Sequence, residues 1–176
     1  MVMARKNVIK KAVQYFLFLL LLHIYVLHID SVLEFFWNMN IKPIPEMYPV
    51  IYNITEGCYT DTCIIYRVTN WVHENVELNP RAGSMLDLVH YSPEDALKKG
   101  GMCRHKTALA LSMLRTAGID YCRFRVMVVI DNGVSSKSHA WFECKTPVGT
   151  VIECDPTVGR CWRGGWYGEH RQDGDT

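Results

Sequence analysis

The apolar pattern at the N-terminus is that of a membrane-spanning segment. Residues 1–11 carry four basic side chains and no acid, and residues 12–29 are then apolar apart from Gln14, His23 and His28. A helix of that length, at ~1.5 Å per residue, spans ~27 Å, close to the ~30 Å thickness of a bilayer core. The basic flank predicts a single-pass anchor with its N-terminus in the cytoplasm. We expect the anchor region to occupy residues 1–37, with Trp37 at the membrane interface.

Two other interpretations of this segment stay open. A cleaved signal peptide begins with the same kind of basic residues, although no small-residue cleavage site follows the apolar run. A helix buried in the domain would make the protein cytosolic, but the unbroken leucines and phenylalanines over 16–22 are unusual for so small a core. An anchor predicts instead that the rest of the chain is extracytoplasmic.

Prolines dominate the next segment, residues 38–57, where Pro43, Pro45 and Pro49 lie close together. Proline fixes its own backbone angle and lacks an N–H donor, so such a density disfavours regular structure. We expect an extended connector that separates the anchor from a folded domain.

Beyond residue 57 the pattern predicts two amphipathic helices. Apolar residues recur at helical spacing between Ile64 and Val76, and Thr60 or Asp61 precedes them as a cap. Residues 92–100 show the complete punctuation of a short helix: a serine cap, a proline, two acids, two lysines and a final glycine.

The most apolar helix is predicted to begin near Cys103. Its residues are apolar nearly all round, between Gly101 as a cap and Gly118 as a stop, which indicates a buried central helix. The period then changes, and three strands are predicted, over 121–131, 138–145 and 150–155. Helices followed by a meander of strands predict an α+β domain in which the central helix packs against an antiparallel sheet.

Composition narrows the classes of function. The chain has 176 residues, 49% of them hydrophobic, and a formal net charge of +1, so no basic footprint for nucleic acid exists. Seven cysteines leave at least one unpaired, and none of their spacings is typical of a zinc site, so we expect neither a metal nor a cofactor. The other six form three disulfides, as an extracytoplasmic location permits, or include core thiols such as Cys144 and Cys154.

Cys103 is the candidate nucleophile. The free amides and the positive dipole end of a helix N-terminus stabilise a thiolate there. The two glycines at 100 and 101 predict room for a substrate close to the backbone, and the Cys103 amide is a candidate oxyanion donor.

A base and its orienting group are predicted on neighbouring strands. His139 begins one strand and Asp155 ends the next. Pairing symmetric about Pro147, the simplest register for the short loop, sets them directly opposite, with Cβ atoms ~4.5–5.5 Å apart. The other face of the hairpin then belongs to the core: Ala140, Phe142, Cys144, Ile152 and Cys154.

Three segments together resemble the transglutaminase-like superfamily, a branch of the papain-like cysteine fold: "GGMCRHKTALALSMLRTAGI", "SHAWFEC" and "VIECDPT". The resemblance covers about residues 60–158. It implies that Cys103 is the nucleophile, His139 the base and Asp155 the orienter. The papain-type oxyanion glutamine has no match here, so the aromatic side chains of Trp71 and Tyr91 are further donor candidates.

We therefore expect a transglutaminase-like domain over 58–162, followed by a C-terminal tail over 163–176. Its predicted activity is that of a membrane-anchored cysteine hydrolase, a peptidase or amidase, that cleaves a peptide or protein substrate through a thioester. Protein crosslinking and the removal of asparagine-linked glycans would use the same residues. A catalytically silent surface binding module is the competing class of function.

Overall fold

The computed structural model describes residues 11, 13–21, 23, 28–80, 82, 92–131 and 134–164. From residue 29 onward they form helices followed by strands, so the predicted α+β class is confirmed. The helices are α1 (Ile29–Asn40), α2 (Tyr48–Ile54), α3 (Asp61–Asn75), α4 (Pro93–Lys99) and α5 (Cys103–Thr116), with a short 3-10 helix at Pro45–Met47. The strands are β1 (Cys122–Asp131), β2 (Val134–Lys145), β3 (Val151–Asp155) and β4 (Arg160–Arg163).

The helix ends lie where local chemistry predicts them. At α3 the Thr60 hydroxyl accepts a hydrogen bond from the Cys63 amide at 3.3 Å. At α4 the Ser92 hydroxyl accepts from the Asp95 amide while the Asp95 carboxylate accepts from the Ser92 amide, a reciprocal capping box. Helix α5 ends at Thr116, two residues before the predicted glycine stop. These signals act within a few residues, which is why they can be read from the sequence.

The sheet is antiparallel in the order β1-β2-β3-β4, and α5 packs across it. Residues of α5 from His105 to Leu114 are all buried, as expected of a central helix. The predicted core face of the β2–β3 hairpin is buried as well. Strand β4 was not predicted: its residues 160–163 overlap the end of the expected domain and the first residue of the expected tail. Residues 165–176 lie outside the described part of the chain.

Helix α1 covers the free edge of β1 with polar side chains. Three of them, spaced one turn apart, each accept an edge-strand amide: Asp30 from Val128 at 3.0 Å, Glu34 from Val126 at 3.2 Å and Asn38 from Phe124 at 2.8 Å. Four helical residues advance ~6 Å and two strand residues ~6.6 Å, so the two repeats stay in step. The edge is thereby closed to pairing with another chain.

The extended connector predicted over 38–57 is wrong in its local structure. This segment contains the 3-10 helix and α2, and it buries Ile41, Ile44, Met47 and Ile51 in the core. Pro45 and Pro49 occupy first-turn positions of these short helices, where a missing N–H costs nothing, while Pro43 lies just before them. Proline density therefore marked helix starts here rather than an extended spacer.

Trp37 also differs from its prediction. Instead of meeting a membrane interface it is only 6% exposed and stacks on Phe124, with ring centroids 5.2 Å apart. Residues 13–21 are helical and expose their large apolar side chains. Residues 1–10, 12, 22 and 24–27 of the expected anchor region lie outside the described residues. Within the ranges that the structure describes, no helix is both long and apolar enough to cross a bilayer. The anchor stays a prediction.

Candidate active site

Cys103 is the first residue of α5, with Met102 rather than Gly101 as the capping residue. The first amides of a helix have no carbonyl partner within it and carry the positive end of its dipole. The His105 ring, itself buried, accepts the Met102 amide at 3.1 Å and so fixes the turn that presents the thiol. The predicted position of Cys103 at a helix N-terminus is therefore what the structure has.

The two glycines serve the protein's own packing. Gly100 has a positive φ of 72°, and a Cβ there would meet the Glu77 carbonyl oxygen at 2.6 Å. A Cβ on Gly101 would meet the His105 side chain at 2.6 Å, and Gly101 forms a parallel bridge with Leu78. The glycines thus let the 77–79 segment run against the start of α5. The sequence predicts that these glycines leave room for a substrate. Their close contacts with Glu77 and His105 are a second, structural reason for glycine at both positions.

The register of the β2–β3 hairpin differs from the predicted one by two residues. Glu143 pairs with Glu153 rather than with Val151, so His139 is diagonal to Asp155 instead of directly opposite it. A shift of two residues preserves which face each side chain lies on, because the side-chain period of a strand is two. A diagonal pair is still within reach of a long side chain such as histidine.

The structure brings His139 and Asp155 into a short hydrogen bond. His139 Nε2 lies 2.6 Å from Asp155 Oδ2, and the Asp155 residue is fully buried. The other carboxylate oxygen, Oδ1, accepts the Thr157 amide at 2.8 Å. With both oxygens engaged, the carboxylate cannot rotate freely, and the imidazole is held with Nδ1 as the ring nitrogen available to a second partner.

That second partner is Cys103. Burial by itself would raise the pKa of the Cys103 thiol, but the hydrogen bond and charge of His139 and the amides of Ala140 and Arg104 outweigh it, so the pKa is lowered. Burial likewise opposes protonation of His139, yet hydrogen bonds to Asp155 and Cys103 and their negative charges raise its pKa to about 9. The thiolate and the imidazolium stabilise each other. The three predicted residues come together, and the lowered thiol pKa increases the fraction of the nucleophilic thiolate.

The oxyanion candidates have different outcomes. The Cys103 amide is at the first position of α5, where helix geometry supplies no acceptor. Trp71 is half-buried on α3, the helix that packs beside α5. Tyr91 lies outside the described residues. The sequence had no means of choosing among them, and the Cys103 amide is the candidate that already belongs to the site.

The remaining six cysteines are paired as Cys58–Cys63, Cys122–Cys144 and Cys154–Cys161. Cys103 is the free cysteine, and it is partly exposed. The sequence left open whether these six cysteines form three disulfides or include free core thiols, and the structure has the three disulfides. Cys144 and Cys154 are core residues as expected, although bonded and not free thiols.

Two residues near the site have contacts that the sequence analysis does not predict, although Lys106 is expected from the sequence to add positive charge near Cys103. Lys106, one turn after Cys103, is only 3% exposed. His73 on α3 has its ring Nδ1 2.9 Å from the carbonyl oxygen of Thr157, which is two residues after Asp155 in the chain. A lysine and a histidine on helices carry no sequence signal of this kind, because only the packing of α3 against α5 and β3 brings them here. Among the described residues, no group of three or more histidine, cysteine or acidic side chains is placed to hold a metal ion.

Comparison with known proteins identifies the family and a similar fold. The sequence model of the transglutaminase-like superfamily matches residues 49–156. A crystal structure of a candidate cysteine protease from Cytophaga hutchinsonii is similar in fold, with a TM-score of 0.52 and 20% sequence identity. The likeness covers 66% of this chain and 40% of that protein, so the chain spans well under half of its length. No curated protein matches the sequence.

Proposed function

The chain belongs to the transglutaminase-like superfamily, and on that basis we propose that it is a cysteine hydrolase acting on amide bonds. The observation that carries the proposal is the meeting of three groups: a free, partly exposed cysteine at a helix N-terminus, a histidine with a raised pKa, and a buried carboxylate 2.6 Å from that histidine. Nucleophilic acyl transfer needs a thiolate, a proton carrier and a group that orients the carrier.

The proposed reaction proceeds in two halves. In the resting enzyme His139 holds the proton of Cys103, and the thiolate attacks the carbonyl carbon of the substrate amide. The Cys103 amide donates to the oxyanion that forms. As the C–N bond breaks, His139 gives its proton to the departing nitrogen, leaving a thioester on Cys103. A water molecule then loses a proton to His139 and attacks the thioester carbonyl. The carboxylic acid is released, and Cys103 leaves as a thiolate beside the protonated His139, as in the resting enzyme.

Water is favoured as the second acceptor by the exposure of the site. The His139 side chain is 25% exposed and Cys103 is partly exposed, so bulk water reaches both groups that act on the thioester. Crosslinking would require an amine to arrive instead, and glycan removal would require an asparagine-linked sugar as leaving group; both use the same three residues. A silent binding module would have no use for a lowered thiol pKa, which counts against that class.

Selective alkylation tests the activated nucleophile. Because six cysteines are paired, iodoacetamide should label the unreduced full chain once and the reduced, unfolded chain seven times. The rate of that single labelling, followed against pH, should show a midpoint below the value of about 8.5 for a free thiol. In His139→Ala the midpoint should rise, because the hydrogen bond and charge of His139 that lower the thiol pKa are lost. Cys103→Ala is the blank, and a wild-type midpoint near about 8.5 would refute the proposal.

The reaction class is tested with two acceptors, water and a primary amine, and with an inactive variant as the blank. Fluorogenic peptide amides and glutamine side-chain amides are incubated with the full chain alone, with a primary amine, and with Cys103→Ala. Hydrolysis predicts acid product whose amount does not depend on the amine. Product that appears only when the amine is present would show that the reaction is crosslinking and not hydrolysis.

We also propose that the protein crosses the membrane once, through its N-terminal segment, and that the domain lies outside the cytoplasm. The exposed apolar side chains over residues 13–21 and the three disulfides support it, since disulfides persist in oxidising compartments. The free thiol offers a direct test. A membrane-impermeant maleimide should label Cys103 on intact cells, and Cys103→Ala should abolish the signal. Labelling that requires lysis would place the domain inside.

A further inference from the structure

Lys106 is a buried cation behind the catalytic residues. It lies three residues after Cys103 on α5, on the same face of the helix, and is 3% exposed. Lysine is almost never fully buried unless a partner compensates its charge. The question is which group does so here, and what the charge does to the site.

Two groups from other elements face Lys106. Its Nζ donates a hydrogen bond to the His73 carbonyl at 3.4 Å, in the last turn of α3. The charged group that acts on it is the Asp155 carboxylate at the end of β3: burial lowers the pKa of Lys106, and the negative charge of Asp155 opposes that lowering. Lys106 therefore donates to the C-terminal end of α3 and is close enough to the carboxylate that hydrogen-bonds His139 to feel its charge.

The same end of α3 also holds the turn that carries Asp155. His73 Nδ1 donates to the Thr157 carbonyl at 2.9 Å, and the Thr157 amide donates to Asp155 Oδ1 at 2.8 Å. Gly159 closes this turn against the His73 ring, where a Cβ would approach the ring carbons to 2.8 Å. One residue, His73, thus meets Lys106 through its carbonyl and the Asp155 turn through its ring.

We propose that Lys106 is a positioning residue that keeps Asp155 as a carboxylate and balances the charge of the Cys103–His139 ion pair. The inference rests on the proposed function. With the pair formed, a thiolate, an imidazolium, a carboxylate and an ammonium stand together, and their charges sum to zero. Without Lys106 the buried cluster carries a net negative charge, which disfavours ionisation of the thiol, because burying an uncompensated charge is expensive.

The competing role is purely structural. A lysine that donates to a carbonyl in the last turn of a helix caps that helix and interacts favourably with its dipole. Such a cap requires a donor, and its removal costs stability. It does not require the thiol at Cys103 to titrate differently. The two roles are therefore separated by a substitution that removes the charge and keeps a donor.

Lys106→Gln is that substitution, and Lys106→Arg is its charge-preserving control. The readout is the pH midpoint of Cys103 alkylation in the unreduced full chain. Opposite charges about one helical turn apart in a partly buried site justify an upward shift of about one pH unit in Lys106→Gln, or about tenfold slower labelling well below the midpoint. The direction holds whether Asp155 stays ionised or takes a proton, since either change weakens support for the thiolate. Lys106→Arg should keep the wild-type midpoint.

Each outcome is decisive. A wild-type midpoint near about 8.5 refutes the proposed function itself. An activated wild type with an unshifted Lys106→Gln refutes the role of Lys106 alone. If Lys106→Gln does not fold, the double variant with Asp155→Asn removes both charges: recovered folding supports charge balance, and failure to recover refutes it.

Discussion

The contact between α1 and the edge of β1 leads to a quantitative prediction about stability. Asn38 accepts the Phe124 amide at 2.8 Å and donates to the Phe124 carbonyl at 3.2 Å and to the Glu34 carbonyl at 2.7 Å. In Asn38→Ala both backbone groups of Phe124, a fully buried residue, lose their partner. Each buried group left unsatisfied costs about 1–3 kcal/mol. Because water reaches part of this edge, we expect a loss near the lower bound, about 2 kcal/mol in total.

Urea unfolding of the unreduced chain, followed by tryptophan fluorescence, measures this loss. Trp37 stacks on Phe124, so its emission reports the same contact. The midpoint should fall without a change in slope, since the surface exposed on unfolding stays the same. Asn40→Ala is the matched control: within the part of the chain that the structure describes, its side chain donates to the exposed Phe36 carbonyl alone, and the change should alter stability by less than about 0.5 kcal/mol. Equal effects of the two variants would refute the idea that α1 seals the edge.

Two further predictions concern the Asp155 turn. In Asp155→Asn the pKa of His139 should fall below about 9, because burial still disfavours the imidazolium while the charge and hydrogen bond of the carboxylate are gone and only those of Cys103 remain. Ring NMR signals of His139 measure this, and an unchanged value would contradict the assigned hydrogen bond. Gly159→Ala should destabilise the fold by more than Gly149→Ala: both glycines have positive φ, but only at Gly159 does the new Cβ collide, with the His73 ring at 2.8 Å. Equal melting temperatures would show that this turn is not clamped.

The hairpin shows which part of a β-structure sequence periodicity can decide. Alternation assigned His139 and Asp155 to one face and the core residues to the other, and both assignments hold. The register was wrong by two residues because loop symmetry was its only support. A shift of two leaves every side chain on its face, so the pattern of buried residues carries no information that would have excluded it.

Lys106 illustrates the opposite limit. It stands in the first turns of α5, next to the polar residues Arg104, His105 and Thr107, and its own chemistry predicts exposure. Its burial follows from the approach of α3, whose last turn supplies a carbonyl, and of β3, whose Asp155 supplies a charge. Both partners are distant from Lys106 in the sequence, so no local pattern could predict its burial.

The sequence by itself determined the three helices after residue 57, the faces of the β2–β3 hairpin and the three residues that come together at the candidate active site, because those features depend on residues a few positions apart or on a recurring motif order. Only the tertiary structure decided the hairpin register, the closure of the β1 edge by α1, the burial of the proline-rich segment and the pairing of six cysteines. Each of these is a contact between different elements of the structure, some of them far apart in the chain and others, such as the two strands of the hairpin, adjacent in it. Such contacts are selected by how whole elements pack, which the spacing of residues along one element does not encode.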